Sequence, residues 1–445
     1  MVLQRCRPPS RPSGPAGETA GNPRCIAMNA SRLFETAVVL ALIVSTGTFA
    51  PSQQTPAGMA TESGFLNQSL LLSTFAAVIG LGLLGRGIAF RGTLSEWLVG
   101  LILFWSALSV FWSVRPEATA VRSFALMLTV LVAAFAVQNV GRRGFITLAG
   151  RAILIVLAIN ILVVFFLPQV GIAGFPTEGA WRGLFTQKNV LGRIALIGLL
   201  IGLFRGFSPI RRERVEGVML LSLSAAAVIG TRSATAVIVV ILALGLLALI
   251  LMLRYARIGI GVATLVVCLS SMLAASVALF SFDGMAMAIG RSTTLSGRLP
   301  LWDELLRIGG ETPLLGRGYG AFWSSGHEKV LSLWSRLGWM PVQAHNGYIE
   351  IFLQLGAVGL LLVMMLLAGL ACSSFFRFMH DGDSSRLLAF ILSVTIAVLS
   401  LTEAVLLVQN NIFTILFIAL LPGMPAVADK RLPLQEETLE DPVPV

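Results

Sequence analysis

Histidine is scarce in this sequence, and His345 is the most informative of its three histidines. It stands where a long polar segment meets an apolar stretch. An imidazole with an ordinary pKa of about 6.5 suits a general base at neutral pH. The alternative is a histidine that a neighbouring backbone group holds at the start of a helix. Neither the histidines nor the four cysteines have metal-ligand spacing, so we expect no metal site and no cofactor.

Cationic side chains form the second group that could do chemistry. They lie near the ends of apolar stretches, where a desolvated charge is costly unless it is paired. Arginines that converge on one cavity would bind an anion, and a guanidinium matches phosphate oxygens. The candidate binding residues are Arg182, Lys188, Asn189, Arg232, Arg298, Arg317 and Tyr319. The alternative is pairing of the cations with the loop acids Glu117, Glu178, Asp303, Glu304 and Glu311.

Three carboxylates outside those loops need separate interpretations. Glu350 lies inside an apolar stretch, so we expect it to pair with an arginine. Asp381-Gly382-Asp383 looks like the D-x-D motif of metal-dependent sugar transferases. The loop pattern described below puts this motif on the opposite face from His345, so we favour a solvated turn.

The composition requires that these residues be carried by a membrane protein. The chain has 445 residues, of which 56% are hydrophobic and 12% are charged. An average soluble protein has about 25% charged residues, so soluble enzyme folds are excluded. Apolar runs of about 17–25 residues mark candidate transmembrane helices. We predict twelve, near 33–50, 65–84, 95–113, 119–138, 147–168, 190–206, 215–230, 234–253, 258–281, 347–371, 387–403 and 406–424.

The distribution of arginines between loops predicts the orientation. Arginine-rich loops alternate with the other loops, and by the positive-inside rule they are cytoplasmic. Both termini then share that side, and one long loop, 282–346, is periplasmic. The net charge of +10 follows from the same rule and does not indicate nucleic acid. Residues 1–32 read as a disordered basic N-terminus with Met28 as a possible true start, and 425–445 as a disordered acidic cytoplasmic tail.

The long loop is predicted to contain two short amphipathic helices. Leu301, Trp302, Leu305 and Leu306 would form one apolar face, and Val330, Leu331, Trp334 and Leu337 would form another. Both helices are expected to lie in the membrane interface. The domain organisation is therefore transmembrane helices 1–9 over 33–281, the loop over 282–346 and transmembrane helices 10–12 over 347–424.

Four segments in order resemble the O-antigen ligase and O-antigen polymerase superfamily, which includes exopolysaccharide polymerases. They are GLFTQKNVLG (183–192), TRSA (231–234), GRLPLW (297–302) with PLLGRGYG (313–320), and HNGYIE (345–350). The resemblance covers most of the membrane portion and is strongest over about 180–360. Trp302 stands where many ligases have Leu, and with GYGAFW (318–323) this favours the exopolysaccharide-polymerase branch.

The resemblance implies an all-helical GT-C-like membrane fold and an inverting, metal-independent glycosyltransferase. Such an enzyme moves glycan from undecaprenyl diphosphate to a sugar hydroxyl at the periplasmic face of the bacterial inner membrane. The family's general base falls on His345, and its diphosphate-binding arginines fall on Arg232 and Arg298. The acceptor would be lipid A–core or another glycan, and chain-length regulators or other polysaccharide-assembly proteins would be partners besides membrane lipids.

Two other functions compete with this interpretation. A transporter or flippase of the lipid-linked glycan would need polar residues at the bilayer midplane, internal repeats and broken helices. The sequence shows no repeat, and Glu403, Gln409, Asn410 and Asn411 are the main polar residues away from the outer edge. A structural or sensory membrane protein would leave the cations near the helix ends unexplained.

Overall fold

The computed structural model describes residues 23–49, 62–85, 89–174, 179–256, 298–324 and 327–422. Within these ranges the regular secondary structure is helical, and one isolated β-bridge joins Ile172 to Trp181. A 3₁₀ turn, Ser109–Trp112, follows the third helix, and a π turn, Met252–Ala256, follows the eighth. The helices are α1 (Pro23–Ser45), α2 (Glu62–Gly85), α3 (Leu94–Leu108), α4 (Pro116–Phe166), α5 (Pro168–Gly171), α6 (Lys188–Gly206), α7 (Arg211–Thr231), α8 (Ala234–Leu251), α9 (Arg298–Gly309), α10 (Glu328–Leu337), α11 (Gly347–Asp381), α12 (Ser384–Leu399) and α13 (Ile412–Ala419).

Seven of the described helical segments are long and apolar enough to cross a membrane. One of them, α4, has 51 residues, and its helical path is broken at Gly141 (φ 75°). At about 1.5 Å per residue α4 is more than twice as long as the hydrocarbon core is thick. The break separates the two spans predicted at 119–138 and 147–168. The chain is therefore a polytopic helical membrane protein.

The count of twelve predicted spans differs from the structure at several places. The last one, 406–424, is wrong, because α13 has only eight residues and is about 12 Å long. Residues 400–411 before it form turns and irregular backbone. The predicted span 258–281 and residues 282–297 of the long loop lie outside the described residues, as do 1–22 and 423–445. The first helix, α1, begins at Pro23, ten residues before the predicted span.

Contacts between loops define two ends of the helical bundle. At one end Arg143 pairs with Asp383, and Arg254 donates to the carbonyl of Phe378. At the other end Arg298 donates to the carbonyl of Thr402. The loops that the arginine pattern assigned to one face are thus in contact with each other, and the candidate site residues lie at the opposite end. We call these the arginine-rich end and the site end.

The two short loop helices pack against protein. Leu301, Leu305 and Ile308 of α9 are buried against Val330 and Leu333 of α10, in a cluster that includes the start of α11. Only part of each predicted apolar face makes these protein contacts, because Leu306 and Leu331 are each 50% exposed. Positions four and seven residues after Leu301 share its helical face, whereas Leu306 is five residues on.

A second helix break fixes the loop to the bundle. The predicted span at 347–371 is broken at Gly356 (φ 66°, ψ −167°). Residues 313–318 lie against this break, and a side chain at Gly356 would lie 2.2 Å from the carbonyl oxygen of Leu314. The carbonyls of Leu353, Gln354 and Leu355 accept hydrogen bonds from Arg317 N, Gly318 N and Trp105 Nε1 at 2.9, 3.0 and 3.0 Å. The loop therefore satisfies backbone groups that the broken helix leaves unpaired.

Candidate active site

His345 occupies a constrained position next to the start of α11. Asn346 caps this helix by accepting from the backbone N–H groups of Tyr348 and Ile349 at 3.0 and 3.1 Å. The side chain of Asn346 also donates to Leu401 O at 3.2 Å, and Gly347 N donates to Ser400 O at 2.7 Å. His345 itself has a left-handed backbone (φ 49°). Non-glycine residues in this region are uncommon and cluster at functional sites.

The environment of His345 changes the chemistry expected of it. The pKa of His345 is lowered to about 4, mainly by burial; Glu403 opposes the shift, and Arg298 and Arg193 add to it. The expectation of an ordinary pKa is wrong because burial penalises the imidazolium. Its Nδ1 is buried and has no hydrogen-bond partner among the described residues. At neutral pH the ring is uncharged and has a nitrogen that can accept a proton.

Glu403 joins three parts of the chain beside His345. Its side chain is 1% exposed, and it lies 3.2 Å from Arg193 Nη1 and 3.5 Å from Arg298 Nη2. Asn189 donates to Glu403 Oε1 at 3.3 Å. This carboxylate therefore fixes two guanidinium groups from α6 and α9. The irregular backbone of 400–411 carries Glu403 just past the end of α12.

Arg193 was missed by the sequence reasoning, and Glu403 was noted only as an exception. A signal for both was present, because each is an isolated charge within an apolar stretch. Such a charge is a candidate functional residue by default. Arg193 was overlooked because it lies five residues into α6, past the helix end where the other cations were sought.

Arg232 lies at the turn between α7 and α8 and also has a left-handed backbone (φ 47°). Lys188 Nζ donates to its carbonyl at 3.2 Å. Ser233 Oγ donates to Asn189 at 3.2 Å, which connects this turn to Glu403. A side chain at Gly179 would lie 3.3 Å from Arg232 Nη1, so the backbone at Gly179 lies close beside this guanidinium. The contacts thus place the first residues of α6 between Arg232 and Glu403.

These contacts define a group of cations at the site end, which we call the site cation cluster. Its members are Lys188, Arg193, Arg232 and Arg298. Among the described residues, these four cations and the carboxylate of Glu403 lie close to an uncharged His345. A diphosphate ester carries compensating negative charge, and guanidinium groups bind phosphate oxygens in bidentate geometry. Preorganised cations of this kind are chemically suited to an anionic phosphate ester.

Three predicted binding residues have their contacts elsewhere. Arg317 Nη2 pairs with Glu311 at 2.6 Å, Tyr319 OH donates to Leu407 O at 2.6 Å, and Arg182 Nε donates to Val170 O at 2.9 Å. The alternative of pairing with loop acids fits several cations. These pairs are Arg115–Glu117, Arg317 and Lys329 with Glu311, and Arg336–Glu304; Glu178 lies outside the described residues.

The other acidic positions have local partners. Glu350 accepts hydrogen bonds from Trp323 Nε1 at 2.8 Å, Ala344 N at 2.7 Å and Gln354 Nε2 at 2.7 Å. Three neutral donors satisfy Glu350, and within the described ranges it forms no direct ion pair with an arginine, although Arg122 is close enough to interact with it electrostatically. It instead fixes the loop directly before His345.

The Asp381–Asp383 turn lies at the arginine-rich end. Asp383 caps α12 through the backbone N–H of Ser385 at 3.0 Å and pairs with Arg143 at 3.1 Å. Asp381 pairs with Arg386. The described residues contain no group of three or more His, Cys, Asp or Glu side chains that could hold a metal ion. Both carboxylates of this turn are thus engaged by neighbouring groups.

Two comparisons with known proteins bear on this site. Residues 218–364 match the model of the family described as O-Antigen ligase. The chain is 25% identical over 292 residues to "Exopolysaccharide production protein ExoQ" of Rhizobium meliloti (strain 1021). That alignment covers 61% of this chain and 63% of the relative, less than two thirds of the relative's length. Both are similarities over part of the chain, one to a ligase family model and one to an exopolysaccharide production protein.

The family match includes only part of the site. It spans Arg232, Arg298 and His345, whereas Lys188, Arg193 and Glu403 lie outside it. The geometry links the two sets, because Glu403 contacts Arg298 and Lys188 contacts the backbone of Arg232.

Proposed function

We propose that this chain, whose two matches support an O-antigen ligase/polymerase-like family, is a membrane glycosyltransferase. It takes glycan from an undecaprenyl-diphosphate-linked donor and joins it to a sugar hydroxyl at the periplasmic face of the bacterial inner membrane. The observation that carries this proposal is the site cation cluster around Glu403, next to an uncharged His345.

In the proposed reaction, His345 accepts the proton of the acceptor hydroxyl. The hydroxyl oxygen attacks the anomeric carbon of the donor sugar, and the bond from that carbon to the diphosphate oxygen breaks. The electron pair leaves with the diphosphate, and the arginines of the site cation cluster neutralise the added charge. A single displacement of this kind inverts the anomeric configuration. His345 then returns its proton to water or to the departing diphosphate.

The position of the cluster suits a lipid-linked donor. Lys188 begins α6, Arg232 follows α7 and Arg298 begins α9. Cations at helix ends lie at the depth where lipid head groups meet water. A diphosphate on a polyprenyl chain can reach this depth while its apolar chain stays in the bilayer. The acceptor is then lipid A–core in a ligase or another glycan in a polymerase, and chain-length regulators or other assembly proteins are proposed partners.

A transporter or flippase of the same lipid-linked glycan is the second candidate. The breaks at Gly141 and Gly356 favour it, because transporters bind substrates at discontinuous helices. The break at Gly356 is occupied by the backbone of Arg317 and Gly318, which makes it part of the packed fold. We therefore prefer the transferase.

The test is glycan transfer by the purified full chain in proteoliposomes with an undecaprenyl-diphosphate-linked donor and a saccharide acceptor. We expect Arg232→Ala and Arg298→Ala to abolish transfer while the proteins still insert and fold. The Lys variants should recover activity only in part, because an ammonium lacks the bidentate fork. Arg336→Ala is the matched control, since Arg336 lies in the same loop but pairs with Glu304.

Two outcomes would contradict the proposal. Full activity of both alanine variants would mean that the diphosphate binds elsewhere. Movement of labelled donor across the bilayer without a new glycosidic bond, lost in the same variants, would establish the flippase instead.

A further inference from the structure

Five arginines gather at the arginine-rich end of the bundle, far from the site cation cluster. They surround the turn between α11 and α12 and come from α4, the π turn after α8, α11 and α12. We call them the turn arginine cluster, and its members are Arg142, Arg143, Arg254, Arg377 and Arg386. Asp381 and Asp383 are the carboxylates that pair with members of this cluster in the part of the chain that the structure describes.

The two carboxylates are already engaged by part of this cluster. Asp383 pairs with Arg143 at 3.1 Å, and Asp381 pairs with Arg386. Partial burial raises the pKa of Asp383, but hydrogen bonds from Ser385 and Arg143 outweigh this and hold the pKa below its usual range. Asp383 is therefore ionised at neutral pH, and both acids are already paired with other arginines of the cluster.

The remaining arginines have no carboxylate partner within the described ranges. Arg142 Nη2 donates to Leu421 O at 3.2 Å, and Arg254 Nη1 donates to Phe378 O at 2.8 Å. The Nε groups of Arg142 and Arg254 are buried and have no hydrogen-bond partner among the described residues. Arg377 is exposed and makes no ion pair there. Unsatisfied guanidinium N–H donors therefore lie where several positive charges are close together. A bound anion would accept hydrogen bonds from these donors and offset the repulsion between the charges.

Apolar surface adjoins these donors. The guanidinium of Arg254 lies 5.1 Å from the ring centroid of Phe378 and 5.4 Å from that of Tyr255. Tyr255 is 65% exposed, and Phe376, next to Arg377, is 67% exposed. Aromatic rings beside cations at helix ends are typical of the depth where lipid head groups lie. A soluble anion would use the cations but not these rings.

We propose that the turn arginine cluster binds the phosphate head group of an anionic phospholipid. The positive-inside rule accounts for arginines in these loops. It does not account for their convergence on one turn, or for the unused buried donors of Arg142 and Arg254. Basic pockets between transmembrane helices are known to hold anionic head groups. The lipid would tie α4, α8, α11 and α12 together at the end away from the proposed reaction.

The test measures lipid retention by the full chain in nanodiscs. Phosphatidylcholine nanodiscs with and without phosphatidylglycerol are compared, and native mass spectrometry counts the lipids that stay bound. The variant is Arg142→Gln with Arg377→Gln. The matched control is Arg211→Gln with Arg214→Gln, which removes two exposed arginines at the start of α7, at the same end.

We expect the wild type and the control to retain phosphatidylglycerol in preference to phosphatidylcholine. In the variant, the ratio of retained phosphatidylglycerol to retained phosphatidylcholine should fall about ten- to thirtyfold, as expected for the loss of two cations near a head group. If the double variant fails to fold, Arg377→Gln alone, at an exposed position, should still lose part of the preference.

Two results would overturn the proposal. Equal loss in the variant and the control would mean that lipid preference depends on overall charge. Displacement of phosphatidylglycerol by millimolar inorganic phosphate would mean that the cluster takes a soluble anion. Neither result bears on glycan transfer, which depends on the opposite end of the molecule.

Discussion

Acidification is expected to destabilise this protein through His345. The unfolded chain has a histidine pKa of about 6.5, and burial lowers the pKa of His345 in the folded protein to about 4. Below pH 6.5 the unfolded state therefore binds a proton that the folded state does not. The stabilisation is complete above about pH 6.5, falls as the pH is lowered and is lost at about pH 4. A difference of 2.5 pKa units corresponds to about 3 kcal/mol.

Comparison with His345→Gln isolates this contribution. The unfolding of both proteins in nanodiscs is followed from pH 7.5 to 4, and the difference in their free energies of unfolding is plotted against pH. All other titrating groups cancel, and the difference should change by about 1.4 kcal/mol per pH unit below pH 6. His380→Gln, at an exposed position, is the control and should retain the wild-type dependence. If the free energy of unfolding of His345→Gln had the same pH dependence as that of the wild type, the interpretation that His345 is buried and neutral would be refuted.

The proposed catalytic role adds a kinetic prediction. Arg298 and Arg193 lower the pKa of His345, and a bound diphosphate would offset their charge. The pKa of His345 should therefore be higher in the donor complex than in the free enzyme. The acid limb of kcat, which reports the complex, should lie at higher pH than that of kcat/KM. Coincident limbs, or limbs that persist in His345→Gln, would exclude His345 as the base.

Three further predictions concern other parts of the fold. Glu403→Gln leaves two largely buried arginines without their carboxylate, so we expect a loss of about 3 kcal/mol in unfolding free energy and weaker donor binding; a variant with wild-type stability and donor affinity would contradict this. Gly356→Ala should destabilise by at least about 1–3 kcal/mol in thermal unfolding because of its left-handed backbone, whereas Gly369→Ala, which meets open space, should be neutral or stabilising. Cysteines placed at Ser335 and at His380 should react with impermeant reagents from opposite sides of the membrane, Ser335 from the periplasm; labelling of both from one side would contradict the two-ended topology.

Hydrophobic runs and loop arginines were sufficient to predict most of the helices. The run at 119–168 predicted two spans, and the structure separates them at Gly141. The same reasoning failed at 406–424, because an apolar run indicates burial as readily as helix. Residues 400–411 are apolar in part, yet they form turns whose carbonyl groups bind Asn346 and Arg298. Those tertiary contacts have no signal in hydrophobic periodicity.

The candidate site residues could be predicted from the sequence where a charged residue lies within or next to an apolar stretch. Arg232, Arg298 and His345 were singled out from their positions, whereas the links through Glu403 depend on how three separate segments pack. Arg317 looked equivalent to Arg298 in sequence, but Glu311 is only six residues away and binds it. The pKa of His345 could not be predicted, because burial of a loop residue depends on the segments folded over it.

The left-handed backbone at Arg232 and His345 has a consequence for how activity is lost. Each residue is held in a conformation that an isolated chain would leave, at a cost of about 1–3 kcal/mol, and each lies in a loop directly beside a helix end. Local unfolding of either loop would let the backbone dihedral angles return to the extended region of φ/ψ space. The side chain would then move away from its partners. Local openings cost less than global unfolding. Gentle heat or mild denaturant should therefore abolish the activity of this protein while its helices remain folded. The helical content of a preparation does not then report whether the preparation is active.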